Sequence, residues 1–154
     1  MRARTVVMTL VLCFVGATVC FADDVQMGSW KLNEAKSKFA PGATKNNTVA
    51  VETAGDQVKV TVDGTDIDGK PTHNEWTGKF DGKDYPVTGD PNSDARSLTK
   101  IDDHTLGLNV KKGGKTTVTG RIVVSADGKS RTVTTSGTDA KGKKVSSTAV
   151  YDKQ

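Results

Sequence analysis

The chain has 154 residues, with 22 lysines and arginines against 18 aspartates and glutamates, so its formal net charge is +4. Lysine and aspartate alternate along the chain and form no basic block, which excludes the concentrated basic face that nucleic-acid binding requires. The length suits one domain built around one core.

The first 22 residues have the pattern of a cleaved secretory signal peptide. Arg2 and Arg4 give a positive start, an uncharged run of about 15 residues extends from Val6 to Cys20, and small residues stand three and one positions before a cut after Ala22. The run is shorter than the roughly 20 residues that span a membrane. We therefore expect export to the periplasm or the extracellular space, without stable membrane insertion of the mature chain. An uncleaved anchor and lipidation at Cys20 are the alternatives.

Removal of this leader leaves residues 23–154, which we interpret as one folded domain. Both cysteines, Cys13 and Cys20, lie in the leader, so thiol catalysis, cysteine–zinc sites and disulfides are excluded for the mature protein. The leader also carries two of the basic residues and none of the acidic ones. The mature chain therefore has 20 basic and 18 acidic residues, and a net charge of +2.

Apolar and polar residues alternate along most of the mature chain. Every second residue is apolar from Val58 to Val62 and from Leu106 to Val110. Residues two apart share a face of a strand, so this pattern predicts antiparallel strands with one face toward a core. A short helical turn is expected only within residues 33–41. In chain order, the predicted strands are 27–33, 46–54, 57–65, 71–81, 84–88, 95–101, 105–111, 116–125, 130–137 and 144–151.

Pairs of turn-forming residues separate these strands. Asp-Gly and Gly-Gly pairs, such as Asp68-Gly69 and Gly113-Gly114, tolerate the positive φ of tight hairpins. A long meander of hairpins removes its exposed edges by closing on itself. The sequence therefore predicts an all-β fold, an antiparallel up-and-down meander of about 9–10 strands that closes into a barrel. A two-sheet sandwich is the alternative.

The stretch GSWKLN, from Gly28 to Asn33, stands on the first predicted strand. It resembles the first strand of the lipocalin and fatty-acid-binding-protein superfamily, which carries Gly-x-Trp. Through GSWKLN, KSKF, DGKDYPVTG and VYDK, the chain also resembles small secreted bacterial proteins of uncharacterised function with lipocalin-like folds. The resemblance implies a lipocalin-like barrel in which Trp30 closes one end. It also implies that a basic residue of a late strand, Arg121 or Arg131, packs across the indole.

Six side chains are candidate ligand-binding residues. The aromatic ones would supply the apolar wall of a pocket, and Arg121 or Arg131 would pair with a carboxylate head group. The alternative for the aromatic residues is ordinary core, because a small barrel can use all of its few large side chains in packing. The six candidates are Trp30, Trp76, Phe80, Tyr85, Arg121 and Arg131.

Chemistry other than binding has little support in the sequence. His73 and Glu75 share one face of a strand, but a closed metal site needs a third and a fourth ligand, and a solvated face explains the pair more simply. The sequence contains no nucleophile elbow, phosphate loop or His-Glu-x-x-His motif. We expect no catalytic residues, no metal, no cofactor and no enzymatic activity.

These observations favour an exported, monomeric lipocalin-like protein that binds a small apolar or amphipathic ligand non-covalently. The ligand would lie inside the barrel or at its mouth. The alternative is a solid barrel that acts through its outer face as a structural or interaction protein of the cell envelope. An interior cavity of roughly several hundred Å³ would favour the first function, and a filled interior the second.

Overall fold

The computed structural model describes residues 24–138 and 141–154. The predicted signal peptide and both cysteines lie outside these residues. A 3₁₀ helix, Glu34–Lys36, is the short helical turn expected within residues 33–41. The ten strands are β1 (Gly28–Leu32), β2 (Lys45–Ala54), β3 (Gln57–Thr65), β4 (Pro71–Gly78), β5 (Tyr85–Thr88), β6 (Ala95–Lys100), β7 (Thr105–Lys112), β8 (Lys115–Val124), β9 (Ser130–Thr138) and β10 (Lys144–Lys153).

The ten strands form one closed antiparallel barrel. Each strand pairs with the next along the chain, and β1 closes the barrel by pairing with both β2 and β10. Trp30 shows this closure, since its cross-strand neighbours are Val49 on β2 and Lys153 on β10. The predicted meander that closes into a barrel is confirmed, and every predicted strand coincides with an observed one to within a few residues. The two-sheet sandwich is excluded.

The alternation in the sequence sets which side chains face the interior. On β3, Val58, Val60 and Val62 are buried, whereas Lys59 and Thr61 between them point outward. Burying alternate apolar residues removes their surface from water at about 25 cal/mol per Å² and fixes the register of each strand. No helix among the described residues is long and apolar enough to cross a membrane.

The two ends of the barrel are packed differently. At one end lie the start of β1 and the turns at residues 55–56, 101–104 and 125–129; we call this the closed end. At the opposite, open end lie the turns at residues 66–70, 89–94 and 113–114. The bulkiest side chains of the core belong to the closed half. The largest fully buried side chains are Trp30, Trp76, Val58 and Val124.

Candidate ligand-binding cavity

The barrel surrounds a cavity of about 530 Å³ that reaches the loops of the open end. This volume lies within the range of about 300–1,000 Å³ that is typical of small-molecule sites. Polar residues of the open-end loops, including Asp66 and Asp90, form its rim. Apolar side chains from several strands form its walls, among them Val49, Val60, Val62, Leu108, Ile122 and Val133.

The cavity exists because the inward positions of the open half carry small side chains. Val118 on β8 and Val133 and Thr135 on β9 line it, and all three are only partly buried. In the closed half, the corresponding space is filled by the indoles of Trp30 and Trp76, which are 0% and 1% exposed. The interior is therefore hollow toward the open end and solid toward the closed end.

Arg131 places a positive charge at the floor of this cavity. It is the second residue of β9, it is buried, and its guanidinium carbon lies 5.8 Å from the centre of the Trp30 ring. The Nζ atom of Lys153 also lies over this ring, at 5.2 Å. Within the described part of the chain, Nε and Nη1 of Arg131 have no hydrogen-bond partner. The floor thus presents a cation with unused N–H donors.

Burial lowers the pKa of Arg131 to about 10; the neighbouring Tyr151 opposes this shift and the positive charge of Arg96 adds to it. The guanidinium therefore still carries its charge at neutral pH. Tyr151 is the cross-strand neighbour of Arg131 on β10 and also lines the cavity. Burial raises the pKa of Tyr151 to about 12, so its hydroxyl keeps its proton and can donate a hydrogen bond.

Arg96 on β6 adds a second guanidinium to the cavity wall. Its Nη2 donates a hydrogen bond to Oδ1 of the buried Asn74 at 3.3 Å. Burial lowers the pKa of Arg96, and the negative charge of Asp90 opposes that shift. Among the described lining residues, the carboxylates are Asp66 and Asp90, and both belong to the rim. The deep part of the cavity therefore has positive charge without a matching negative one.

The four predicted aromatic residues pack in or against the core and are not part of the cavity wall. Trp30 lies under Arg131, and the Nε1–H of Trp76 donates to the carbonyl of Arg96 at 2.9 Å. Tyr85 meets Trp76 edge-on, with ring centroids 5.8 Å apart, and its hydroxyl donates to an aspartate. Phe80 packs against the core. This placement agrees with the core alternative given above for the aromatic residues.

The two predicted arginines lie on opposite faces of the barrel wall. Arg121 stands between the inward-facing Gly120 and Ile122, so its side chain is exposed on the outside. Arg131 is the basic residue that packs across the Trp30 indole. Of the six candidates, the structure brings only Arg131 to the cavity.

The sequence interpretation missed three polar residues of the cavity, Asn74, Arg96 and Tyr151. A signal for all three was present in the strand phase. Asn74 is two residues from the buried Trp76, Arg96 is two residues from the buried Leu98, and Tyr151 is two residues from the buried Ala149. Residues two apart face the same way, so all three side chains were predictable as inward-facing.

His73 and Glu75 belong to a network of charges on the outer face. The Nδ1 atom of His73 lies 2.6 Å from Oδ1 of Asp63, and its Nε2 lies 3.7 Å from Glu75, which also pairs with Lys59 at 2.8 Å. The hydrogen bond to Asp63 raises the pKa of His73. Among residues 24–138 and 141–154, no group of three or more His, Cys, Asp or Glu side chains is arranged to hold a metal ion.

Comparisons with known proteins return structural neighbours but no relatives in sequence. No protein-family model and no curated protein sequence matches the chain. A structure described as EF1p2_mFAP2b bound to DFHBI has a TM-score of 0.47 and 10% identity, over 84% of this chain and 94% of that one. A redesigned beta barrel, mFAP1, bound to DFHBI, has a TM-score of 0.44 and 16% identity, over 84% and 95%. The fold assignment therefore rests on the strand pairing described above.

Proposed function

We propose that this protein binds a small amphipathic ligand in the barrel cavity, with an anionic head group at the floor and an apolar tail toward the open end. The observation that carries this proposal is the buried guanidinium of Arg131, whose Nε and Nη1 have no partner among the described residues. Tyr151 and Arg96 face the same space and add donors of hydrogen bonds.

The energetics favour an anion at this position. A buried charge without a partner costs several kcal/mol in desolvation, and a carboxylate or a similar group would offset much of that cost. Hydrogen bonds between two charged groups are also shorter and stronger than neutral ones. The apolar wall around Val60 and Ile122 would bury the tail at about 25 cal/mol per Å².

We also propose a structural class and a cellular location for the protein. Gly28 and Trp30 supply the Gly-x-Trp motif, and Arg131 packs over the indole, as the resemblance to lipocalins and fatty-acid-binding proteins implies. We place the protein among lipocalin-like barrels on this basis. Its leader, residues 1–22, supports export to the periplasm or the extracellular space, where it would act as a monomeric carrier or scavenger.

The direct test compares two ligands that share a tail. Isothermal titration calorimetry of the purified exported protein would measure its affinity for decanoate and for decanol. We expect decanoate to bind roughly 10- to 100-fold more tightly, because a hydrogen bond to a charged group contributes about 1.5–3 kcal/mol. Native mass spectrometry of protein purified from its own host would identify a retained natural ligand.

Two arginine variants test whether the preference for decanoate over decanol comes from the cavity floor. Arg131→Met keeps the length of the side chain but removes its charge, and it should abolish the preference for decanoate. Arg121→Met removes the same charge from the outer face and should leave the preference unchanged. Equal decanoate affinity in the Arg131→Met variant and the wild type would contradict the proposal. Failure of both ligands to bind would favour the alternative, an interaction protein that uses its outer face.

A further inference from the structure

Two arginines line the cavity, and neither has an acidic partner. Arg131 on β9 lies at the floor, and Arg96 on β6 lies in the wall. None of the ion pairs within the described part of the chain includes either guanidinium. The two are close enough for the positive charge of Arg96 to lower the pKa of Arg131. The cavity therefore contains two positive charges that repel each other.

The two carboxylates of the rim do not neutralise these charges by direct contact. Asp90 accepts a backbone N–H of its own turn at Oδ1 and the hydroxyl of Ser93 at Oδ2. Asp66 accepts two backbone N–H groups of its own turn. Both carboxylates thus stabilise loops, although the charge of Asp90 is near enough to oppose the lowering of the Arg96 pKa. A second anionic charge beside the two guanidiniums would have to come from the ligand.

Three side chains of the cavity can donate hydrogen bonds to one head group. Nε and Nη1 of Arg131 have no partner among the described residues. Arg96 donates from Nη2 to Oδ1 of Asn74, and a guanidinium has five N–H groups in all. The hydroxyl of Tyr151 keeps its proton, because burial raises its pKa to about 12. A carboxylate has two oxygens to accept these bonds, whereas a phosphate monoester has three.

We propose that the head group of the ligand is a phosphate monoester, held by Arg131, Arg96 and Tyr151. This inference rests on the proposed function, the binding of an amphipathic anion in the same cavity, and specifies the head group. A phosphate monoester carries a charge of about −1.5 to −2 at neutral pH, so it matches both guanidiniums. Guanidinium groups also fit phosphate oxygens geometrically. A carboxylate, with a single charge, would leave one of the two arginines without an anionic partner.

The test compares decyl phosphate with decyl sulfate by calorimetry, with decanol as the uncharged reference. The two anions have the same tail and three terminal oxygens each, so they differ mainly in the second negative charge. At about pH 8, where a phosphate monoester is fully ionised, we expect decyl phosphate to bind about tenfold more tightly than decyl sulfate. Decyl sulfate should in turn bind more tightly than decanol, because it still pairs with Arg131.

The pH dependence of this preference gives a second readout. The second pKa of a phosphate monoester is about 6, so at about pH 5 decyl phosphate carries one charge, as decyl sulfate does. The ratio of the two affinities should therefore fall toward one. Tyr151 and the two arginines do not titrate in this range. The other titratable residues that line the cavity, His73, Asp66 and Asp90, act on both ligands, so their effect largely cancels in the ratio.

Two variants of the wall test whether Arg96 supplies the second positive charge. Arg96→Met should bring the ratio of phosphate to sulfate affinity close to one, while sulfate still binds more tightly than decanol. The indole of Trp76 donates to the main-chain carbonyl of residue 96, which this variant keeps. Asn74→Asp leaves the arginine in place but puts a carboxylate where Oδ1 of Asn74 now accepts its N–H, and it should have the same effect. Arg121→Met, on the outer face, is the matched control and should preserve the ratio.

The outcomes separate this inference from the proposed function. If decyl phosphate and decyl sulfate bound equally at about pH 8 but both more tightly than decanol, the phosphate assignment would be wrong and the anion site would stand. An undiminished preference for phosphate in the Arg96→Met variant would also overturn the assignment. If neither anion bound more tightly than decanol, the proposed function itself would be wrong, and the inference about the head group would fail with it.

Discussion

The closed and open halves of the barrel use the same strands but fill their inward positions differently. In the closed half, Trp30 and Trp76 occupy the interior and are almost completely buried. In the open half, the inward residues of β8 and β9 include Val118, Val133 and Thr135, which leave a cavity of about 530 Å³. A barrel with so few aromatic residues can still be solid at one end, provided that they are concentrated there.

The packed half and the hollow half of this small domain contribute differently to its stability. Packing density in protein interiors is close to that of organic crystals, so a half filled by indoles carries more of the fold's cohesion than a half with a cavity. The buried charge of Arg131 lies at the boundary, where the packed half meets the hollow half. The closed end therefore supplies most of the packing that stabilises the fold, and the open end holds the cavity.

The largest expected effect comes from emptying the closed half. Trp76→Ala removes a side chain that is 1% exposed and that donates a hydrogen bond to the Arg96 carbonyl at 2.9 Å. We expect a loss of about 3–5 kcal/mol in the free energy of unfolding, measured by urea denaturation. Ile67→Ala at the open end is the control, because Ile67 is 71% exposed and its truncation should cost little. If Trp76→Ala lowered the free energy of unfolding only slightly and weakened ligand binding, Trp76 would belong to the pocket wall and not to the core.

The sharpest contrast in stability is expected between two Val→Leu variants, one in each half, which each enlarge an inward side chain by one methylene. Val124→Leu enlarges a fully buried side chain of the closed half and should destabilise the protein by about 1–3 kcal/mol through overpacking. Val133→Leu, on the neighbouring strand, would extend into the cavity and should leave stability unchanged or slightly higher. Thermal unfolding of both variants measures the difference. Equal costs at the two positions would mean that the cavity is closed by repacking in solution.

Arg131→Met tests the boundary between the halves. Removing a buried charge that has no hydrogen-bond partner at Nε and Nη1 should stabilise the ligand-free protein, by about 1 kcal/mol after the loss of its cation–π contact with Trp30. Denaturation of the ligand-free protein with urea measures this change. The matched variant Arg121→Met should have almost no effect. If Arg131→Met clearly destabilised the protein, the role of the arginine would be to pack against Trp30 and not to bind a ligand.

The sequence predicted the barrel well because the information is local. Alternation of period two, as from Val58 to Val62, and Gly-containing turns determine strands, phase and connections one hairpin at a time. The same phase distinguishes Arg131, two residues before Val133, from Arg121, which lies between Gly120 and Ile122. Phase alone was therefore sufficient to separate the inward arginine from the outward one.

The residues that line the cavity were harder to predict, because the lining depends on how far along the barrel axis each side chain lies. Trp76 and Asn74 share the inward face of β4, yet one is packed in the closed half and the other lines the cavity. Phase does not distinguish them. Their positions follow from the stagger of ten strands around the barrel, a long-range property that no single hairpin determines.

The smallest expected effect concerns the outer face, which is common to both halves. The hydrogen bond to Asp63 raises the pKa of His73 above its ordinary 6.5. A raised folded-state pKa stabilises the protein fully at a pH below the unfolded value, and this contribution disappears as the pH rises through the folded value. Asp63→Asn should therefore lower the pKa of His73 in an NMR titration and reduce stability more at about pH 5 than at about pH 9.

A second surface pair supplies the control for this pH dependence. Asp56 and Lys79 are 2.7 Å apart; their hydrogen bond lowers the pKa of Asp56 below 3.8 and raises that of Lys79 above 10.5. Neither group titrates between pH 5 and 9, so Asp56→Asn should change stability equally at both ends of that range. A pH-independent effect for Asp63→Asn as well would show that His73 and Asp63 do not interact in solution. His73 would then contribute nothing to stability through its charge. Among Asp63, His73, Lys59 and Glu75, the only attractive ion pair would be the one between Lys59 and Glu75.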